Sequence, residues 1–75
     1  MQKYNETYLK FIKTLGKKVQ NARLQRGYSQ KELSVLTGFS EKYIKNLELG
    51  RATGTTLGRI IKIAKVLKVK IYELC

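Results

Sequence analysis

Residues 29–50 read SQKELSVLTGFSEKYIKNLELG. Ser29 followed three positions later by Glu32 is a capping box: the hydroxyl and the carboxylate satisfy backbone amides that a helix start leaves unpaired. A helix is therefore predicted from Ser29. Thr37-Gly38 ends it, because glycine enters the left-handed conformation at little steric cost, and Ser40 caps a second helix. Along that second helix Ile44 and Leu47 face inward, while Glu41, Lys42, Tyr43, Lys45 and Asn46 spread over the other side. The stretch is thus two short helices joined by a tight turn and closed by Gly50, and the flanks read as its support.

Upstream, from Asn5 to Arg26, the apolar residues Tyr8, Ile12, Leu15, Val19 and Ala22 recur at helical spacing. Lys10, Lys13, Lys17 and Lys18 occupy the polar side. Gly16 inside this helix costs about 1 kcal/mol relative to alanine, which predicts a kink or break near Leu15-Gly16. Arg26-Gly27 ends the helix, and Tyr28 precedes the next cap, placed to form a hydrophobic staple with Leu33. Downstream, RATGTT after Gly50 reads as a loop, with Thr55 or Thr56 as the following cap. Leu57, Ile60, Ile61, Ala64 and Leu67 then form a third stripe, widened by Ile63 and Val66. No glycine is offered at its end near Lys68, so that end is expected to be soft. Ile71, Tyr72 and Leu74 make a short apolar turn that either covers the core or joins a dimer interface.

No strand alternation, internal repeat or low-complexity segment interrupts this pattern, so an all-α bundle is expected. At 75 residues one domain fits. Residues 1–14 form a helical extension and 15–75 the body of the domain. Sixteen Lys and Arg against five acids give a net charge of +11, a field that attracts polyanions. Nucleic acid is the first partner this suggests and an anionic membrane surface the second; the bland alternative is a solvated lysine face. Cys75 is the only cysteine, which excludes an intramolecular disulfide, leaves an interchain one open and suits a reducing compartment. No apolar run approaches the roughly 18 residues that span a bilayer, and the start is too polar for a signal peptide, so a soluble cytoplasmic protein is expected. With no His and no Asp, the chain has no Ser-His-Asp or Cys-His arrangement and no metal-ligand cluster. No enzyme, cofactor, metal or small-molecule ligand is expected.

The chemistry lies in the two-helix unit. A helix that follows a tight turn from another helix can enter the major groove of DNA, whose base edges distinguish all four pairs. Lys42 can donate to guanine, Asn46 can pair with adenine and Glu41 can accept from cytosine, each contact contributing roughly 1–3 kcal/mol of discrimination. Lys42 and Asn46 are one turn apart and face one groove together. Phosphate contacts fix register, and the candidates are Gln30, Lys31, Ser40, Tyr43, Lys45, Arg51 and Thr53. Taken singly, each of these is equally a solvated or rim-packed surface residue. Glu48 differs, because it sits beside the inward Leu47 near a helix end, where negative charge is disfavoured. Arg23, next to Ala22 and one turn beyond Val19, is its natural partner in a bidentate structural pair.

These residues resemble the Cro/repressor-type (XRE-like) helix-turn-helix domains of phage repressors and small bacterial regulators. The matching run is Val19, Ala22, Arg23, Gly27, Tyr28-Ser29-Gln30, Leu33, Gly38-Phe39-Ser40, Ile44, Leu47-Glu48, Gly50, Ile63-Ala64, Leu67, Val69 and Leu74. It covers about four fifths of the chain, and the spacing SQxxL, GFS, IxxLExG is specific. The resemblance implies a compact five-helix bundle of the lambda-repressor-like type, here with an N-terminally extended first helix. It implies binding to double-stranded operator DNA as a homodimer on a palindrome, with Gln30 clamping a phosphate or base edge. It also implies that Glu41, Lys42 and Asn46 read bases and that Arg23 pairs with Glu48. Departures from the family pattern are Ser34 in place of a close-contact alanine, a loop without proline about one residue longer, and Lys68 and Lys70 in place of a glycine and a cap. The first dozen residues, with Tyr4, Tyr8 and Phe11, extend beyond it.

The sequence therefore reads as a non-enzymatic, sequence-specific DNA-binding transcriptional regulator, a repressor or controller protein using helix 40–49. An antitoxin-like or adaptor module with a protein partner is the alternative. A basic membrane-surface protein leaves the two capped helices unexplained.

Overall fold

The computed structural model describes residues 5–75; Tyr4 lies outside them. Five helices follow in order: α1 Glu6–Gln25, α2 Gln30–Thr37, α3 Glu41–Glu48, α4 Leu57–Leu67 and α5 Ile71–Leu74. The described residues contain no strand. The apolar stripes close on one another as the spacing requires. Ile12, Leu15 and Val19 from α1 meet Leu33, Ile44 and Leu47 from the two-helix unit and Ile63 and Leu67 from α4.

The amide of Tyr8 donates to Oδ1 of Asn5 at 2.7 Å, which caps α1. From there α1 runs unbroken to Gln25, so the predicted kink at Gly16 does not occur. The glycine serves a close approach instead. A Cβ on Gly16 would lie 2.1 Å from the carbonyl oxygen of Leu47 and 3.1 Å from that of Glu48. No side chain fits there, so the propensity cost of glycine is offset by the proximity of α1 to the end of α3. The boundary expected between residues 14 and 15 falls inside this helix. Ile12, on its extension side, is 1% exposed and belongs to the core. Tyr8 packs at the core's edge, and its hydroxyl donates to the carbonyl of Thr53. The first part of α1 thereby braces the loop after α3. Phe11 remains 39% exposed.

At the other end of α1, Gly27 turns the chain with φ +74°. Arg26 then performs a task that its sequence position does not announce. Its Nε donates to the carbonyl of Leu67 at 2.7 Å and its Nη2 to that of Lys68 at 3.1 Å, supplying donors to the carbonyls that the end of α4 leaves unpaired. Lys68 itself adopts the left-handed conformation, φ 57° and ψ 42°, a geometry that costs a residue with a side chain about 1–2 kcal/mol. The helix end that looked soft is thus a defined left-handed cap held by Arg26 and by a hydrogen bond of 3.0 Å from the amide of Val69 to the carbonyl of Ala64. Thr56, not Thr55, caps α4, accepting from the amide of Arg59.

The single turn of α5 begins with the amide of Lys70 donating to the Glu73 carboxylate at 2.6 Å. Leu74 is 1% exposed and Ile71 packs against the core, whereas Tyr72 is 69% exposed. Of the two roles expected for the terminal turn, Leu74 takes core cover, its side chain closing its own bundle. Of the terminal trio, Tyr72 alone is freely presented.

Candidate nucleic-acid interface

Local sequence sets the two helices at the centre of the fold. The capping box at Ser29 is complete: the amide of Glu32 donates to Ser29 Oγ at 2.9 Å and the amide of Ser29 to Glu32 Oε1 at 2.8 Å. Gly38 ends α2 with φ +78°. Two hydroxyls then tie the turn. Thr37, fully buried, donates to the carbonyl of Leu33 at 2.8 Å and accepts from the amide of Phe39 at 3.2 Å. Ser34, the departure from alanine, donates to the carbonyl of Phe39 at 2.6 Å. Ser40 caps α3, accepting from the amide of Tyr43 at 3.0 Å.

The pose of α3 is locked from beneath. Arg23 Nε donates to Glu48 Oε2 at 2.7 Å and Nη2 to Glu48 Oε1 at 3.0 Å, a fork-on-fork pair. The two side chains are 9% and 2% exposed. Arg23 Nη1 adds a hydrogen bond to the carbonyl of Tyr28 at 2.8 Å. Gln30 completes the network, its Nε2 donating to Glu48 Oε1 at 3.0 Å. One carboxylate thus joins α1, α2 and α3. Gln30 was expected to spend its amide on phosphate; one of its two amide hydrogens is instead committed to Glu48, which leaves the half-buried side chain oriented, with the other hydrogen unused.

Above this anchor Ile44, Leu47 and Glu48 are buried, and Glu41, Lys42 and Lys45 are exposed. Tyr43 and Asn46 are half-buried. Asn46 lines a shallow concavity of about 250 Å³ together with Tyr43, Arg51, Thr53 and Thr55. The hydroxyl of Tyr43 is hydrogen-bonded to that of Thr55, so it is engaged within the fold and not simply directed outward. Lys31, Ser40 and Arg51 are exposed, while Thr53 is half-buried with its carbonyl held by Tyr8. Tyr43, Asn46, Arg51 and Thr53 are thus brought together, while Lys31 lines a separate groove with Tyr28, Val35 and Leu36; the expected residues divide between exposed cations and groups already tied into the scaffold.

Charge use reinforces the division. Glu48 is in the network, and Glu32 and Glu73 close helix starts. Arg23–Glu48 is the one ion pair among the described residues. Among the described residues every other Lys and Arg lacks an ion-pair partner, so the excess of cations is expressed as a basic surface. Among the described residues no group of three or more His, Cys, Asp or Glu is arranged to hold a metal. No helix there is long and apolar enough to cross a membrane.

Sequence reasoning missed two features of this face. Arg59, in the first turn of α4, places its guanidinium 5.1 Å from the Tyr43 ring centre and 6.0 Å from that of Phe39. Lys62 lies 5.6 Å from the Phe39 ring centre. The Phe39 and Tyr43 rings meet edge to face at 5.4 Å. The basic residues of α4 were visible in the sequence, but their packing against the turn depends on the tertiary fold.

A family model described as helix-turn-helix matches residues 19–74. Solved structures are similar over most of the chain. The restriction-modification controller protein C.AhdI from Aeromonas hydrophila superposes with a TM-score of 0.83 at 28% identity, covering 95% of this chain and 100% of that one. The hypothetical transcription factor NHTF from Neisseria gives 0.80 at 30% identity, covering 85% and 72%. SinR, the master regulator for biofilm formation, solved in complex with DNA, gives 0.75 at 27% identity, covering 80% and 95%. No curated protein matches the sequence.

Proposed function

The chain belongs to the helix-turn-helix family, and from that premise we propose that it is a sequence-specific DNA-binding transcriptional regulator, a repressor or controller protein. The observation that carries the reading is the three-helix anchor on Glu48: it holds α3 at a fixed angle while leaving Lys42 and Lys45 exposed and Asn46 open to the loop side. Similarity to a controller protein and to a regulator solved with DNA supports it. In this reading α3 enters the major groove, where Glu41, Lys42 and Asn46 meet base edges. Lys31, Ser40, Lys45 and Arg51 meet phosphates, with Gln30 and Thr53 as scaffold-held donors beside them. The protein acts without a cofactor, in the cytoplasm, as a homodimer on a palindromic operator, with Tyr72 in the interface.

Selection of binding sites from random duplex DNA is the decisive experiment. A palindrome with half-sites about 10 base pairs apart is expected, with affinity falling steeply as salt rises. Binding that ignored salt, or no enrichment at all, would overturn the proposal. One observation favours a second reading, an adaptor or antitoxin-like module: Tyr28, Val35 and Leu36 line an open apolar groove on the outer side of α2. Stable co-purification with a second chain and no enrichment of duplex DNA would select it.

A further inference from the structure

We propose that Arg59 is a phosphate-binding residue of the DNA interface, and that Tyr43 serves as its aromatic platform. The proposal rests on the DNA-binding reading above and adds to it a residue from α4. Arg59 is exposed, and no side chain or carbonyl among the described residues accepts a hydrogen bond from its guanidinium. Yet the group has a defined place. It lies 5.1 Å from the centre of the Tyr43 ring and 6.0 Å from that of Phe39. Those rings are themselves fixed, the first by its hydroxyl on Thr55 and both by their edge-to-face contact.

A guanidinium held over a ring face spends none of its N–H donors on hydrogen bonds to it, so they stay available to a planar or tetrahedral oxyanion. Arg59 lines the concavity that holds Asn46, Arg51 and Thr53, and also the adjoining one formed by Gly38, Ser40 and Tyr43. It therefore bridges the two sides of the surface assigned to DNA, the start of α3 and the loop after it. A phosphate seated between them receives Arg59 from one side and Arg51 from the other. The proposed role of Tyr43 changes accordingly, because its hydroxyl is committed to Thr55 and its ring is what the interface uses.

The test measures binding of the wild-type chain and variants to a selected operator and to a random duplex across a salt series. Each variant is checked for an unchanged melting transition by circular dichroism. Arg59→Ala should weaken both duplexes alike, by about tenfold or more, and flatten the dependence of log K on log salt by about 0.9. Lys65→Ala removes the same charge elsewhere on α4 and should leave the slope within error of wild type. Tyr43→Leu should lose about as much as Arg59→Ala, and the double variant should lose little more than either. If Arg59→Ala behaves like Lys65→Ala, the phosphate role is wrong. Fully additive losses for Tyr43→Leu and Arg59→Ala would overturn the platform. A wild-type chain that binds neither duplex sinks the regulatory reading itself, an outcome distinct from a binding chain indifferent to Arg59.

Discussion

Removal of Arg23 provides the sharpest test of how α3 is held. In the folded chain Arg23 donates to both oxygens of Glu48 and to the carbonyl of Tyr28. Arg23→Ala leaves the Glu48 carboxylate, 2% exposed, with Gln30 as its remaining side-chain donor. A buried charge stripped of its partner costs about 3–5 kcal/mol. A domain of this length has a total stability of roughly 4–11 kcal/mol, so the loss removes at least about a quarter of it. A melting point lower by some 12–40 °C is expected, at about 4–8 °C per kcal/mol. Urea unfolding followed by circular dichroism measures the loss directly. The double replacement Arg23→Met with Glu48→Leu provides the control, since exchanging a buried pair for apolar residues of similar volume is often neutral or stabilising. It should recover most of the stability that Arg23→Ala loses. A loss of only about 0–1 kcal/mol for Arg23→Ala, the range of an exposed pair, would refute the burial and the anchoring role together.

Further expectations follow from individual sites. Gly16→Ala should destabilise although alanine is the better helix former, because its Cβ would stand 2.1 Å from the Leu47 carbonyl oxygen; the penalty is of order 1–3 kcal/mol or more, and a gain near 1 kcal/mol in urea titration would show the approach to be loose. Gly58→Ala is the contrasting case, with nothing nearer than 3.9 Å, and should stabilise by up to about 1 kcal/mol in the same assay. Lys68→Gly relieves a left-handed backbone at φ 57° and should add about 1 kcal/mol; a lower melting point would contradict that. On operator DNA, Asn46→Ala should relax preference at one base pair, whereas Lys45→Ala should weaken all sequences. Equal loss on cognate and random duplex for Asn46→Ala would remove it from the reading set.

The parts of the fold legible in the sequence are those written in local chemistry. Ser29 and Glu32, Gly38 and Ser40 specify their turns through bonds spanning a few residues, and the apolar stripes specify which faces meet. Arg23 and Glu48, although 25 positions apart, could be paired because each poses a problem the other solves: a charge on an inward face needs a counter-charge. Gly16 misled because a glycine in a helix has the same sequence signature whether it kinks the helix or admits a neighbour. Only the position of α3 distinguishes the two. Arg26, Tyr8 and Arg59 were opaque for a related reason. Their partners are backbone carbonyls or ring faces, which carry no residue-specific signal. Leu74 was ambiguous because an apolar residue in a terminal turn looks the same whether it closes its own core or a partner's.

The Glu48 network also changes what specificity should mean for this surface. Its carboxylate draws Arg23 from α1 and Gln30 from α2 onto the end of α3. The same end of α3 has its carbonyls pressed against Gly16. The angle at which Lys42 and Asn46 are presented is thus determined largely by residues outside the base-reading set. Base discrimination depends on hydrogen-bond geometry, and a rotation of α3 of a few degrees moves side-chain tips by a large part of a hydrogen bond's tolerance. Phosphate contacts from flexible lysines accommodate such a shift far more easily. A variant that loosens the anchor while remaining folded should therefore lose discrimination before it loses affinity. Tight but indiscriminate binding would be the mark of a disturbed scaffold, and weak but discriminating binding the mark of a missing phosphate contact.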